Sequence, residues 1–248
     1  MTVLAQTRLL QMASQAFPIG GYSHSQGLES AIESGLVRSE ETVRQWIVDV
    51  LEFSINTYEM PMLHAMSGAW EAAAAEPRPC TAAMAELNAM AELNQEFLAT
   101  RESAELRRAT VQMGFSMRAL LEVLPDLPAA LVRTLHEIAE PSLPLVWSGA
   151  AHAWGIGRRE SMVAYLWVWA ENQVLVAMKS VPIGQSSGQR ILLGVGTHIA
   201  EVAQRWEAGG DATLAGASRP QVALSNFAPG LAILSSQHET QYSRLFRS

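Results

Sequence analysis

The chain has 248 residues, 49% hydrophobic and 17% charged, with a formal net charge of −7. That is ample apolar material for one self-sufficient core, and too little positive charge for nucleic-acid binding without a local basic cluster, which the sequence does not supply. A single cysteine, Cys80, placed beside Pro77 and Pro79 in an expected loop, excludes an intrachain disulfide and fits a reducing compartment, the cytoplasm.

Residues 4–16 read as a helix, and the polar Gln6, Arg8 and Gln11 there break the pattern of a secretion signal. The stretch Phe17 to Glu29 is glycine-dense and carries an aromatic ring. Gly20 and Gly21 permit positive φ, so a sharp turn is expected there, presenting Tyr22 to a partner. Gly21-Tyr22-Ser23-His24-Ser25 nearly spells a nucleophile elbow, but its last residue is serine and no strand precedes it. Ser23 and Gln26 have capping-box spacing instead, with Gly27 inside the first turns of the next helix.

Apolar residues then recur at helical spacing. Ser39, followed by Glu40 and Glu41, is the expected start of a helix whose buried face is Val43, Ile47, Val50, Leu51, Ser54 and Tyr58. Pro61 is expected to break it and open another helix. Met84, Leu87 and Met90 mark one further face; Leu106, Met113, Met117, Leu120 and Leu124 mark a second, and Leu131, Leu135 and Ile138 a third. Val163 to Met178 is the most apolar stretch. Interrupted by Glu171-Asn172-Gln173 and shorter than the roughly 20 apolar residues that cross a bilayer, it reads as a buried helix.

Gly184-Gln185-Ser186-Ser187-Gly188-Gln189-Arg190 lacks the Gly-Lys of a phosphate loop, and Ser186 and Gln189 match a second capping box just after Pro182. This polar corner is either a plain connector or a second contact surface. Gly194-Val195-Gly196 starts like a dinucleotide fingerprint, but Ile199 replaces the last glycine, and Ile191, Leu192, Val195, Ile199 and Val202 keep a helical period through it. Glycines for close helix packing fit better. Lys179 is the sole lysine against sixteen arginines, either a chance surface residue or a chosen ammonium.

Past Gly209-Gly210 the pattern dissolves, giving an expected flexible linker at about 207–230 and a tail, 236–248, after a helical domain over 1–235. The tail bears Tyr242, Arg244, Phe246 and Arg247, residue types of interface hot spots in a segment that is either frayed or ordered by a partner. No two of the six histidines lie three to five residues apart. His198 and Glu201 share a helix face without making a ligand set, and one assembled from distant segments stays open. The fold class is therefore all-α, a single globular domain of about ten helices with a flexible C-terminal tail.

Four separated stretches, in order, carry a resemblance: Phe17 to Glu29; Arg101-Glu102-Ser103-Ala104-Glu105-Leu106-Arg107; Ala170-Glu171-Asn172-Gln173-Val174 continuing through Lys179-Ser180-Val181-Pro182-Ile183-Gly184-Gln185 to Arg190; and His238 to Phe246. On these the chain resembles the UreF family of urease accessory proteins from end to end. The resemblance implies an all-α homodimer without chemistry of its own. Such a protein binds a UreD/UreH-type protein and recruits the GTPase UreG to apo-urease for nickel insertion. No cofactor is then bound by this chain, nickel and GTP being handled by the complex. By carry-over, the partner-contact candidates are Gly20, Gly21, Tyr22, Ser23, Gln26 and Gly27 in the turn. Lys179, Pro182, Gly184, Gln185, Gln189 and Arg190 follow in the corner, and Gln241, Tyr242, Arg244 and Phe246 in the tail. An alternative is a GTPase-activating protein that supplies an arginine to UreG. A hydrolase built on Ser23 and a pure metal carrier are the remaining readings.

Overall fold

A computed structural model describes residues 1–74, 80–206 and 225–246. It is all-α, without a strand among these residues. Helices α1 (Val3–Met12) and α2 (Leu28–Glu33) precede α3 (Glu40–Val50), which runs through a π-helical segment (Leu51–Glu59) into α4 (Met60–Ala74). There follow α5 (Cys80–Ala99), α6 (Ala104–Val123), α7 (Ala129–Glu137), α8 (Leu143–Ala153), α9 (Arg158–Ser180), α10 (Gln185–Arg205) and α11 (Pro229–His238). Cys80 opens α5 and does not sit in a loop. The expected linker lies outside the described residues up to position 224, as do the prolines at 77 and 79 and Arg247.

Local chemistry explains several boundaries. The Ser39 hydroxyl accepts from the Thr42 amide at 3.3 Å while the Thr42 hydroxyl accepts from the Ser39 amide at 2.9 Å, closing a capping box at the start of α3. At Pro61 the expected break does not occur. The nine residues before Met60 adopt the wider π turn, with the Met60 N–H reaching the Ile55 carbonyl, which eases the clash between a proline ring and the carbonyl four residues back. Helix α1 stops at Met12, four residues before the expected end, because Phe17 and Ile19 turn inward to bury their side chains.

Helix α8 is the centre of the core, packed on α4 and α6. Every residue from Leu143 to Ala151 is buried, the mark of a helix surrounded by others. Its first amides would be orphaned there. Asn94 of α5 accepts from the Ser142 N–H at 2.8 Å, and the Thr110 hydroxyl of α6 accepts from the Leu143 N–H at 3.1 Å. Trp147 donates to Ser161 of α9 and meets the Tyr165 ring edge-on at 5.6 Å, joining the core to α9.

Helix α9 packs along α10, whose buried face is the expected Ile191, Leu192, Val195, Ile199 and Val202. The close approach is not at the glycines the sequence singled out, since a Cβ on Gly196 would find Trp167 at an ordinary 3.5 Å. It is at Gly188, where a Cβ would come within 2.5 Å of Met178 Sδ. No helix among the described residues is long and apolar enough to cross a membrane.

Candidate partner-binding site

The turn is folded by its ends. Phe17, Ile19 and Leu28 are buried anchors, and between them the Ser23 N–H donates to the Gly20 carbonyl at 3.0 Å, with Gly20 at φ +78°. Gln26 and Gly27 also take positive φ, and Gly27 directly precedes α2. The left-handed backbone at Gly27 favours glycine, and a Cβ there would also crowd the Leu231 side chain of α11 at 3.1 Å. The expected Ser23–Gln26 capping box is corrected by this: the helix starts at Leu28, after a left-handed residue and without a side-chain cap. The second expected box fails for a related reason, because α10 starts at Gln185 and Ser186 is already helical.

Polar residues on α9 clamp the turn from behind. Trp169, Asn172 and Gln173, at positions i, i+3 and i+4, share one face of the helix. The Trp169 indole donates to the Gln26 side-chain oxygen, Asn172 Nδ2 to the His24 carbonyl at 2.7 Å, and Gln173 Nε2 to the Ser25 carbonyl at 3.2 Å. Trp46 of α3 donates in turn to Gln173 Oε1 at 3.3 Å. Tyr22 is half-buried, and its hydroxyl donates to Glu171 Oε2 at 2.6 Å. Burial and then the Glu171 hydrogen bond and charge raise its pKa, so the phenol stays protonated. The expectation of a free ring is thereby corrected: Tyr22 ties the turn down.

The tail is held against the same region. Helix α11 continues across the expected 235/236 boundary, and the Ser235 hydroxyl meets that of Ser103 at 2.7 Å. Glu239 Oε1 accepts from the Glu105 N–H at the start of α6. His238, fully buried, stands between two carboxylates, with Nδ1 2.6 Å from Glu105 Oε1 and Nε2 3.0 Å from Glu29 Oε2. Glu29 accepts also from the Leu245 N–H at 2.6 Å and the Phe246 N–H at 3.2 Å, and Gln241 accepts from Ser30 at 3.1 Å. Phe246, expected to offer its ring to a partner, is 7% exposed and covered by the Lys179 ammonium at 5.0 Å from its centroid. Tyr242 is fully exposed, and Arg244 and Leu245 point outward with it.

At the corner, Pro182, Gly184, Gln185, Gln189 and Arg190 are all exposed. Arg190 grips Glu40 of α3 in a forked pair at 2.8 and 2.6 Å, which with Ser187 holds the Glu40 carboxyl down at about 2. The three candidate segments thus meet. The turn and tail join through Glu29 and Ser30, and tail and corner through Lys179 and Phe246. Sequence reading missed the residues that join them: Glu29, Glu105, Trp169, Asn172, Gln173 and His238. For Asn172 and Gln173 the signal was the polar interruption of an apolar helix; Glu29, Glu105, Trp169 and His238 gave none of that kind.

Behind the turn lies a cavity of about 70 Å³ reaching from Gly21 and Gln26 to Arg101 and Tyr165. Arg101 pairs there with Glu59 at 2.6 Å over the Phe97 ring, and Tyr165 donates to the other Glu59 oxygen at 3.1 Å. This arginine is committed inward. His198 faces Glu52 of the π segment at 3.1 Å and Glu201 at 3.9 Å. Among the described residues no group of three or more His, Cys, Asp or Glu side chains is arranged to hold a metal ion.

Comparison with known proteins decides the family. The UreF family model matches residues 37–196. The chain belongs to the UreF family. It is 48% identical to the urease accessory protein UreF of Dechloromonas aromatica (strain RCB), over 100% of this chain and 99% of that one. Against the UreF of Azoarcus sp. (strain BH72) it is 44% identical over 99% and 97%, and against that of Methylobacillus flagellatus 39% over 97% and 96%. The four stretches that carried the resemblance are the ones the fold gathers. Glu29, Glu105 and His238 belong to three of them, with His238 touching both carboxylates, while Asn172 and Gln173 of the fourth bind the first.

Proposed function

We propose that this UreF-family chain is a non-catalytic scaffold of urease maturation. It binds a UreD/UreH-type protein and recruits the GTPase UreG to apo-urease, where nickel is inserted in a GTP-dependent step. The observation that supports this is the convergence of turn, corner and tail into one surface region, with Tyr242, Arg244, Leu245 and Lys179 exposed around a rigid polar framework. Tyrosine and arginine on a preorganised support are the residue types that concentrate binding energy. The chain acts as a homodimer in the cytoplasm, and nickel is cargo of the assembly.

Tyr242→Ala and Arg244→Ala each weaken assembly with the UreD-like partner by about 1–4 kcal/mol, with the unfolding midpoint of the isolated chain unchanged. Titration calorimetry of the purified proteins measures this, and affinities equal to wild type overturn the tail as a contact. Coupling to nucleotide further requires that the complex bind the GTP and GDP forms of UreG with different affinity. Equal affinities leave a passive tether. An arginine-supplying role instead predicts that Arg244→Ala abolishes stimulated GTP hydrolysis while binding persists.

A further inference from the structure

Glu29 makes two kinds of contact with one carboxylate. On one side it meets the buried ring of His238, and on the other it receives the backbone N–H groups of Leu245 and Phe246. We propose that Glu29 and His238 form a buried latch that positions the partner-binding tail, engaged when the imidazole carries both of its protons. The place of the tail in partner binding rests on the function proposed above; the latch itself is a property of the chain alone.

Hydrogen-bond capacity is the first argument. Both ring nitrogens face carboxylate oxygens, and an ionised carboxylate only accepts. A neutral imidazole has one N–H, so one of its two contacts would set a nitrogen lone pair against an oxygen lone pair. The doubly protonated ring satisfies both. Its surroundings agree: Glu29 comes from α2 and Glu105 from α6, while Glu239 at the end of α11 is turned to the Glu105 amide, with Arg108 of α6 3.9 Å from it. Lys179 of α9 sits over Phe246 and not against the ring. Burial works against the charge on His238, but the hydrogen bonds and charges of Glu105 and Glu29 outweigh it and raise the pKa above the ordinary 6.5.

The consequence runs through the tail. Deprotonation leaves Glu29 and Glu105 as two buried carboxylates without the cation between them, and Glu105 Oε2 has no hydrogen-bond partner among the described residues. Like charges then drive the pair apart, and moving Glu29 releases the Leu245 and Phe246 amides. Since the folded pKa is the raised one, the latch is closed at and below the ordinary histidine range and opens as pH rises through the folded value.

The test is amide hydrogen exchange of Leu245 and Phe246 in the full chain across pH, corrected for intrinsic exchange, with the His238 ring nitrogens followed by NMR. Protection of the two amides in the wild type falls, by up to about tenfold for each pH unit, between the ordinary histidine value and the folded His238 titration, and levels off above it. In Glu29→Gln it is lost by tenfold or more at every pH. A ring with one proton at neutral pH, or protection that does not follow its titration, overturns the latch. Should Glu29→Gln not fold, His238→Gln supplies the second arm: its amide protection becomes independent of pH, and retention of the wild-type profile overturns the proposal. Partner affinity measured on the same variants separates the two ideas, because a working latch with unaltered affinity condemns the role of the tail and not the latch.

Discussion

Helix α8 and the pocket around His238 are both closed to solvent, yet one is filled by Leu145, Val146 and Trp147 and the other by two carboxylates and an imidazole. Apolar burial is non-directional: it rewards area removed from water and tolerates small shifts of one helix over another. Polar burial is costly unless every donor meets its acceptor, so it stabilises one arrangement and penalises its neighbours. The division follows the task of each region. Helix α8 holds the protein together, whereas the polar residues of α2, α6, α9 and α11 fix where a turn and a tail stand on the surface.

Truncation of α8 gives the largest effect. Trp147 is 1% exposed, and Trp147→Ala leaves a large cavity and strips Ser161 of a donor; global stability falls by about 3–5 kcal/mol in denaturant titration. In the fraction that remains folded, exchange of the turn and tail amides relative to the core is as in wild type. Selective loosening of the tail by this change would break the division between the two regions.

Asn172→Ala is the matching change on the polar side. It removes the donor that satisfies the buried His24 carbonyl and costs about 1–3 kcal/mol. The expected pattern is uneven: amides between Gly20 and Gln26 exchange faster while those of α8 keep their protection. Uniform loosening of the whole chain would show that the clamp is ordinary core.

The sequence made the apolar half of this comparison legible and the polar half visible only as an anomaly. The faces of α3 and α10 could be read because helical period and caps are local, as the Ser39–Thr42 box shows. Glu171-Asn172-Gln173 stood out as an interruption, but the partners of Asn172 and Gln173 lie 148 residues away, a distance no local pattern encodes. The two misplaced capping boxes fail in the same way. Serine–glutamine spacing was present in both places, but where α2 begins is set by Gly27 and the approach of α11, a tertiary fact. By residue type, Tyr22 and Phe246 read as aromatic contacts. Burial reassigns both to the framework and leaves Tyr242 outside.

Arg190 provides the smallest effect on the fold and the sharpest test of the surface. Its forked pair with Glu40 is exposed to solvent, where charge pairs are screened and contribute little to stability. Arg190→Ala therefore leaves the unfolding midpoint at neutral pH within error. The pair still registers in the titration of Glu40, which moves from about 2 back toward the ordinary 4.5 once the guanidinium is gone. The sign follows: a depressed carboxylate pKa contributes fully above the unfolded value, and that contribution is lost as pH falls from there toward 2. Carboxyl NMR checks the shift. If UreG or the UreD-like protein then binds Arg190→Ala less tightly, with α9, α10 and the tail amides undisturbed, the corner is itself a contact. Unaltered binding makes it a connector that braces α10 against α3, and confines recognition to the turn and tail.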